Sequence, residues 1–220
     1  DLRMSRGLGD VYKRQGAGEY SLYFARKGYE VSALELADAN IAAFKKKLTP
    51  EDKIDLVQGN ALDLSRYADK SFDIVLLFGP LYHLKNDVDK QKCISEAKRV
   101  CKDGGKIFFS FISNDFVFLT EFGYDVNYFS NGDYDKETFK LNDFPFVFHT
   151  VGAARKLLAD GGINILHEVA SDGASELLAA RINEMSDEDY TQYLRYHFYI
   201  CEKPELLGMT NHLLFMGEKK

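Results

Sequence analysis

Short apolar runs alternate with amphipathic segments along most of the chain. Runs rich in branched and aromatic residues predict β-strands at residues 31–36, 54–57, 72–78, 107–112, 163–169 and 212–216. Segments with helical spacing of apolar positions predict helices at residues 20–27, 38–48, 88–102, 150–159 and 174–201. Because the run FDIVLLF at 72–78 is continuously apolar, we expect that strand to be buried on both faces.

This alternation predicts the fold class α/β, as a three-layer, Rossmann-like sandwich with a mostly parallel sheet between helices. In such sheets, ligands bind beyond the carboxyl ends of the strands. Two segments interrupt the alternation: residues 114–148 are rich in aromatic side chains, and residues 174–205 are mainly helical. The spacing of Ser186 and Asp189 indicates a helix start in the second segment. We expect both segments to cover the strand ends as a lid.

The amino-acid composition limits the kinds of molecule that the chain is expected to bind. The chain is 45% hydrophobic, enough for a full core, and its formal net charge is -6. An acidic chain does not attract nucleic acid or anionic lipid, and no apolar run reaches the ~18 residues of a membrane span. We therefore expect a small-molecule partner, with no nucleic acid and no membrane. The three cysteines lack metal-like spacing, which predicts free buried thiols, a reducing cytoplasm and no metal site.

The first 15 residues differ from the rest of the chain. The stretch from Met4 to Gln15 resembles a translated sequencing-adapter read-through, of the kind fused to metagenomic gene predictions. We therefore expect residues 1–15 to be non-native and a single domain to occupy residues 16–220. A native polar arm is the alternative. The first strand of the α/β pattern is expected to be compromised, because it would fall in this segment.

A glycine pair and an acidic residue point to an adenosine ligand. Gly16 and Gly18 lie at a predicted strand-to-helix junction, where glycine lets backbone approach a ligand closely. Glu35 ends the next strand about 20 residues on, where a carboxylate can accept two hydrogen bonds from a ribose diol. Ser21 stands where a dinucleotide fingerprint requires glycine, which favours adenosine with a neutral or cationic tail. A simple turn and a solvated carboxylate are the alternatives.

Longer segments then resemble a known family. GAGEYSLYFARKGYEVSALEL, QGNALDL, FDIVLLFGPLYHL and KDGGKIFFSF resemble successive motifs of class I S-adenosylmethionine-dependent methyltransferases. GPLYHL together with LLGMTNHLLFM resembles, more narrowly, a bacterial group of small methyltransferases. The resemblance covers residue 16 to the C-terminus. It implies S-adenosylmethionine as cofactor and a seven-stranded sheet whose last strand, HLLFM, is antiparallel.

The resemblance also implies roles for individual residues. Gly16 and Gly18 match glycines of motif I beside the methionine part of the cofactor, Glu35 matches the ribose-binding acid, and Leu36 matches the apolar residue against adenine. Asn60 and Ala61 match the pair after the third strand, where the Asn60 side chain would bond the adenine amino group. Phe78 and Gly79 match the end of the fourth strand, facing the methyl donor. Tyr20 and Tyr82 are candidates to stabilise the cationic donor through their ring faces, although packing explains a tyrosine equally well.

Motif I departs from the family pattern at two positions. An acidic residue and a first glycine are expected where this chain has Tyr12 and Arg14. Because an arginine near a sulfonium adds like-charge repulsion, we expect weak cofactor binding.

Methyl transfer requires alignment, exclusion of water and, for some acceptors, removal of a proton. His83 is the predicted base and Tyr82 its neighbour at the acceptor entrance, although His83 also suits a role in capping or hydrogen-bonding the following helix. His149 and His197 are further candidates to line the lid, and helix packing explains His197 more simply.

The sequence therefore predicts a methyltransferase acting on an oxygen or nitrogen atom of a small or medium-sized acceptor. A nicotinamide-dependent oxidoreductase and a non-catalytic adenosyl-ligand-binding protein are the alternatives.

Overall fold

The structure is a computed structural model that describes residues 18–220. The chain divides into two compact units, the first ending at Arg66 and the second comprising Tyr67–Lys220. The segment 1–15 and Gly16 lie outside the described residues, so what the sequence predicts for them stays a prediction.

In its described residues, 18–66, the first unit combines two parallel strands with two helices. Its elements are α1 (Glu19–Arg26), β1 (Val31–Glu35), α2 (Asp38–Lys45) and β2 (Ile54–Gln58). β1 and β2 pair in parallel register, so Glu35 lies beside Gln58 at their carboxyl ends. The buried apolar side chains are Leu22, Phe44 and Leu64. All four elements lie where the hydrophobic pattern predicts them, within the few residues by which element ends vary.

The second unit is built on a five-stranded sheet. Its strands are β3 (Phe72–Leu77), β4 (Cys101–Ser113), β5 (Phe148–His149), β6 (Ile163–Ala170) and β7 (His212–Lys219). The order is β3-β4-β7-β6, and β5 pairs in parallel with the end of β4. β3 and β4 are parallel, whereas β7 is antiparallel to both of its neighbours.

Six helices belong to this unit: α3 (Asp87–Val100), α4 (Asn114–Tyr124), α5 (Tyr128–Asn131), α6 (Val151–Asp160), α7 (Ala179–Asn183) and α8 (Asp187–Ile200). Phe109, Phe111 and Phe215 form the buried centre of the sheet. α3 packs on β4 and α6 packs on β6, each through a stripe of buried apolar side chains. Full burial of a side chain of this size contributes roughly 1.5–3 kcal/mol, so these aromatic residues dominate the core.

The predicted α/β fold and the antiparallel last strand are confirmed. The prediction of a single, mostly parallel, seven-stranded sheet is only partly right. The described residues contain seven strands, but these form a two-stranded and a five-stranded sheet. Two pairings in the larger sheet are antiparallel because β7 lies between β4 and β6. β5 is not predicted, because a two-residue strand has no periodicity.

β4 begins earlier than the sequence predicts. The helix α3 ends at Val100, and Gly104 and Gly105 lie within β4 instead of after the helix. Pairing with β3 steps from Phe72–Cys101 to Ile74–Lys106, so β4 bulges there. Gly104 has φ +76°, and a Cβ on Gly105 would lie 2.8 Å from the Asp73 carbonyl oxygen. The two glycines therefore allow the backbone of β4 to form the bulge.

β3 is also less buried than predicted, since the Ile74 side chain is 44% exposed. Among the described residues β3 pairs only with β4.

The segment 114–148 forms a helical and aromatic substructure. The Ser113 side chain accepts a hydrogen bond from the Phe116 N–H and begins α4. We define the aromatic cluster as Tyr82, Phe118, Tyr128, Tyr134, Phe146 and Phe148, which pack with three buried aliphatic side chains. The Phe118 and Tyr134 rings meet edge to face with centroids 4.7 Å apart. Their weak sequence periodicity follows from this arrangement, because the rings come from several short elements.

In the segment 174–205, the predicted helix start is confirmed. The Ser186 hydroxyl accepts from the Asp189 N–H at 3.1 Å and donates to its carboxylate at 2.7 Å. None of the α8 residues is buried, and Tyr196, Phe198 and Tyr199 are exposed. Within residues 18–220, each helix is too short or too polar to cross a bilayer. The buried, free state predicted for Cys93, Cys101 and Cys201 is confirmed.

Candidate functional site

The glycine turn at the start of α1 has the backbone geometry that the sequence predicts. Gly18 is the N-cap of α1 and has φ +77°, a conformation that glycine adopts without strain. A Cβ on Gly18 would lie 2.4 Å from the Phe44 ring. The fold itself therefore requires glycine at this position. Its predicted partner Gly16 lies outside the described residues.

Glu35 lies at the carboxyl end of β1. Its Oε1 accepts a hydrogen bond from the Ala37 N–H at 2.9 Å, which fixes the carboxylate at the strand end. Beside it, the Gln58 amide donates to Asp38 at 2.6 Å. Leu36, the next residue after Glu35, is 64% exposed and offers apolar surface.

Asn60 follows β2 and stabilises a turn. Its Oδ1 accepts from the Leu62 N–H at 3.0 Å, and its carbonyl accepts from the Asp63 N–H at 2.9 Å. Ala61 is half-buried in this turn. The adenine amino group is a donor, so the predicted bond from Asn60 to adenine would use the second lone pair of Oδ1.

The described residues of the first unit have features that suit the binding of an adenosyl group. A left-handed glycine begins α1, an anchored carboxylate ends β1, and an exposed leucine follows the carboxylate. The second oxygen of the Glu35 carboxylate is not engaged by Ala37, so it can accept from a ribose hydroxyl. Tyr20 also belongs to this unit and is 51% exposed.

The residues after β3 belong to the second unit. Gly79 has φ +129°, which permits the sharp turn from Phe78 into the short 3-10 helix Pro80–Tyr82. The Tyr82 side chain is buried in the aromatic cluster, and its carbonyl accepts from the Val147 N–H at 2.8 Å. These contacts show a packing role for Tyr82.

His83, the predicted base, is exposed at the end of the 3-10 helix. Its ring centroid lies 5.0 Å from that of Tyr82 and 5.2 Å from that of Phe146. It does not cap α3, because the cap is Asn86, whose side chain accepts from the Asp89 N–H. His83 is therefore not the cap of α3, and the alternative that it hydrogen-bonds this helix stays a prediction.

The two other histidines of the sequence prediction have different surroundings. His149 is buried beside Phe111, and neither ring nitrogen makes a hydrogen bond within the described residues. Burial, with the charges of Lys90 and Lys140, lowers the pKa of His149 to about 4. In contrast, His197 Nε2 donates to the Ser171 carbonyl at 3.1 Å, which ties α8 to the loop after β6.

The sequence prediction missed a polar network before β7. Thr210, Asn211 and His212 are consecutive, and the first two are buried. His212 Nδ1 lies 2.7 Å from an oxygen of Asp172, and Asn211 donates to Glu176 at 2.6 Å. One feature of the sequence could have revealed this network. Three consecutive polar residues stand at the start of an apolar strand, within the segment LLGMTNHLLFM that resembles the methyltransferase group.

No group of three or more His, Cys, Asp or Glu side chains suited to a metal ion occurs in the described part of the chain.

Residues 15–109 match the family model described as a methyltransferase domain. The chain is 33% identical over 112 residues to a demethylmenaquinone methyltransferase from Clavibacter sepedonicus, covering 50% of this chain and 44% of that protein. It is 34% identical over 99 residues to the ubiquinone/menaquinone biosynthesis C-methyltransferase UbiE from Haemophilus ducreyi, covering 42% of this chain and 36% of that protein. The match thus spans less than half the length of either relative.

A solved structure extends the similarity to the fold of almost the whole chain. A SAM-dependent methyltransferase from Methanosarcina mazei superposes with a TM-score of 0.58, at 17% identity, over 93% of this chain and 88% of that chain. The chain therefore has the α/β fold of these methyltransferases. The matched residues 15–109 agree with the methyltransferase motifs that the sequence analysis identified.

Proposed function

We propose that this chain is an S-adenosylmethionine-dependent methyltransferase. The observation that carries the proposal is the match of residues 15–109 to the methyltransferase-domain model, because this segment contains every residue predicted to bind the cofactor. The match favours methyl transfer over the nicotinamide-dependent oxidoreductase and over a non-catalytic adenosyl-ligand-binding protein. The absence of glycine at Ser21 points the same way.

The residues of the first unit would hold the adenosine part of the cofactor. Glu35 would accept from the ribose diol, Leu36 would cover one face of adenine, and Gly18 would let backbone approach the methionine part. Asn60 and Ala61 would border the adenine, and the proximity of Phe78 and Gly79 to the methyl donor stays a prediction from the resemblance. When bound, the cofactor supplies a methyl group activated by a sulfonium.

The proposed acceptor is a small or medium-sized, partly apolar molecule with an oxygen or nitrogen nucleophile. The exposed aromatic residues of 114–148 and α8 support an apolar acceptor. The names of the two relatives add a specific candidate, an aromatic quinol methylated on carbon or oxygen. The lid role of 114–148 and 174–205, the three-layer arrangement and a cytoplasmic location stay predictions.

Methyl transfer from labelled cofactor tests this function. The chain is incubated with S-adenosylmethionine carrying a deuterated methyl group and either a bacterial metabolite extract or anaerobic 1,4-dihydroxynaphthalene. Mass spectrometry should show a labelled product, and fragmentation assigns the methyl to carbon or oxygen. Glu35→Gln is the control, because it weakens the proposed ribose contact without changing side-chain size. Failure of the wild-type chain to bind S-adenosylhomocysteine would contradict the proposal.

A further inference from the structure

Asp172 and His212 form a side-chain pair at the carboxyl edge of the second sheet. Asp172 follows the end of β6, and His212 begins β7. Because β7 is antiparallel, its first residue pairs with Ile112 near the carboxyl end of β4. His212 therefore lies at the same edge as Ser113 and His149, where ligands of such sheets bind.

The pair is held in one geometry by several hydrogen bonds. His212 Nδ1 lies 2.7 Å from Asp172 Oδ2, and the His212 N–H donates to Asp172 Oδ1 at 3.1 Å. The buried Thr210 hydroxyl also donates to Oδ1 and accepts from the Gly173 N–H at 3.1 Å. The carboxylate thus contacts its neighbours through both oxygens, which leaves it little freedom to rotate.

The neighbouring residues hold the loop and the strand together. Asn211 accepts from Thr120 of α4 at 3.0 Å and donates to Glu176 at 2.6 Å. His197 of α8 donates a hydrogen bond to the carbonyl of Ser171. The loop that carries Asp172 is therefore fixed from α4, α8 and β7.

Charge favours proton uptake by this imidazole. Burial alone would lower the pKa of His212, but the hydrogen bond and charge of Asp172, with the charge of Glu176, outweigh it and raise the pKa above its usual value. Burial likewise opposes the charge of Asp172, and the bond to His212 nevertheless keeps its pKa below the usual value. Asp172 and Glu176 are the charged groups that face His212 in the described part of the chain.

The hydrogen bond also selects the nitrogen that exchanges the proton. A carboxylate next to Nδ1 holds the hydrogen on that atom, so Nε2 is the basic nitrogen of the neutral ring. The His212 side chain is 12% exposed, so it is largely shielded from water.

We propose that His212, positioned by Asp172, is the base that accepts the proton of the methyl acceptor, in place of the sequence-predicted His83. The inference rests on the proposed methyltransferase function and names the group that completes its chemistry. His212 Nε2 takes the proton from an acceptor O–H or N–H. The bonding electrons stay on the acceptor atom as it bonds to the methyl carbon, and the C–S electron pair leaves with the sulfur. Asp172 balances the imidazolium, which returns its proton to water.

The first test observes the imidazole directly. Histidine-labelled full-length chain is studied by NMR with S-adenosylhomocysteine and 1,4-dihydroxynaphthalene, and His212→Gln identifies the His212 signals. The signals should titrate above the usual histidine pKa and move when the naphthalenediol is added. Asp172→Asn should lower that pKa, because it removes the charge that raises it, and a loss of packing alone would not give this change.

The second test measures turnover. His212→Gln should lower the rate of methyl transfer to 1,4-dihydroxynaphthalene by about 10²- to 10⁴-fold, the usual effect of a general base, without changing the affinity for S-adenosylhomocysteine. His167→Gln is the matched control, because His167 forms a similar bond to Glu202 at 3.0 Å but both side chains are exposed. It should keep wild-type turnover.

The outcomes separate this inference from the proposed function. If the wild type does not bind S-adenosylhomocysteine, the proposed function is wrong. If it binds normally but the His212 signals do not respond to the naphthalenediol, or if His212→Gln retains full turnover, only the assignment of the base is wrong. Loss of turnover in His83→Ala with none in His212→Gln would restore His83 as the base.

Discussion

His149 and His212 have the same side chain but opposite titration behaviour. At His149 burial dominates and the pKa falls to about 4, whereas at His212 the hydrogen bond and charge of the partly buried Asp172 carboxylate outweigh burial and the pKa rises. Sequence alone could not distinguish the two, because the deciding partner Asp172 lies 40 positions from His212. The sequence prediction chose His83 for its position after a strand, a signal that describes the backbone but not the partners of the ring.

The buried imidazole of His149 predicts that the stability of the folded protein decreases in acid. The folded-state pKa of about 4 lies below the usual value of 6.5, so the unfolded chain binds a proton first as the pH falls. Stability should therefore drop between pH 6.5 and 4, by up to about 3 kcal/mol from this group. Urea unfolding across this range should show a smaller drop for His149→Phe than for the wild type. The exposed His167→Phe serves as control, and equal slopes in His149→Phe and wild type would contradict the prediction.

Two glycines with similar backbones predict different costs of substitution. Gly18 and Gly28 have φ +77° and +93°, so alanine is strained at both, by about 1 kcal/mol. At Gly18 the new Cβ would also meet the Phe44 ring at 2.4 Å, whereas nothing lies within 4 Å at Gly28. Overpacking adds about 1–3 kcal/mol. Thermal unfolding should therefore show a clearly larger loss for Gly18→Ala, and equal losses would show that Phe44 moves aside freely.

At the scale of elements, the amphipathic pattern predicted the helices and strands well and their packing less well. The ends of α3 and β4 were misplaced because Gly104 and Gly105 suit a helix end and a bulge equally well. The pattern also missed β5, and it treated 114–148 as irregular although α4 is a capped helix of 11 residues. Aromatic residues from different short elements meet in one cluster. Local periodicity of the sequence cannot predict such contacts, because they join residues of separate elements.

Asn211 links two of these elements, which predicts a large effect for a small substitution. Its side chain joins Thr120 of α4 to Glu176 of the loop before α7. Asn211→Ala should remove one hydrogen bond from each partner, including the charged Glu176, at a cost of about 2–4 kcal/mol. Asn164→Ala is the control, because Asn164 is exposed and bonds Glu218 at 3.4 Å. Denaturant unfolding should separate the two variants, and hydrogen exchange should show faster opening of α4 only in Asn211→Ala.

At the scale of the whole molecule, the sequence predicted the fold class, the antiparallel last strand and a methyltransferase fold that the solved structures share. The candidate cofactor residues were predicted from local motifs, since glycines and acidic residues at strand ends have a recognisable order. The network around His212 was missed, because it joins α4, the loop after β6 and β7, which are far apart in sequence.

The altered start of motif I predicts weak cofactor binding by this chain. Tyr12 and Arg14 stand where the family pattern has an acidic residue and a glycine, and both lie outside the described residues. A carboxylate that accepts a hydrogen bond from a charged amine contributes about 1.5–3 kcal/mol, which corresponds to roughly 10- to 150-fold in affinity. The double variant Tyr12→Asp, Arg14→Gly should therefore bind S-adenosylmethionine at least tenfold more tightly by calorimetry.

The same changes shifted by one position provide the control for this prediction. Val11→Asp, Lys13→Gly alters the net charge by the same amount, since each pair adds one carboxylate and removes one cation. A general reduction of positive charge near a cationic ligand would strengthen binding in both variants. A specific motif I contact would strengthen it only in Tyr12→Asp, Arg14→Gly, because only that pair restores the acid and the glycine at the family spacing from Gly16 and Gly18. Equal affinities for all three chains would mean that the first strand of the pattern makes no contribution to cofactor binding here.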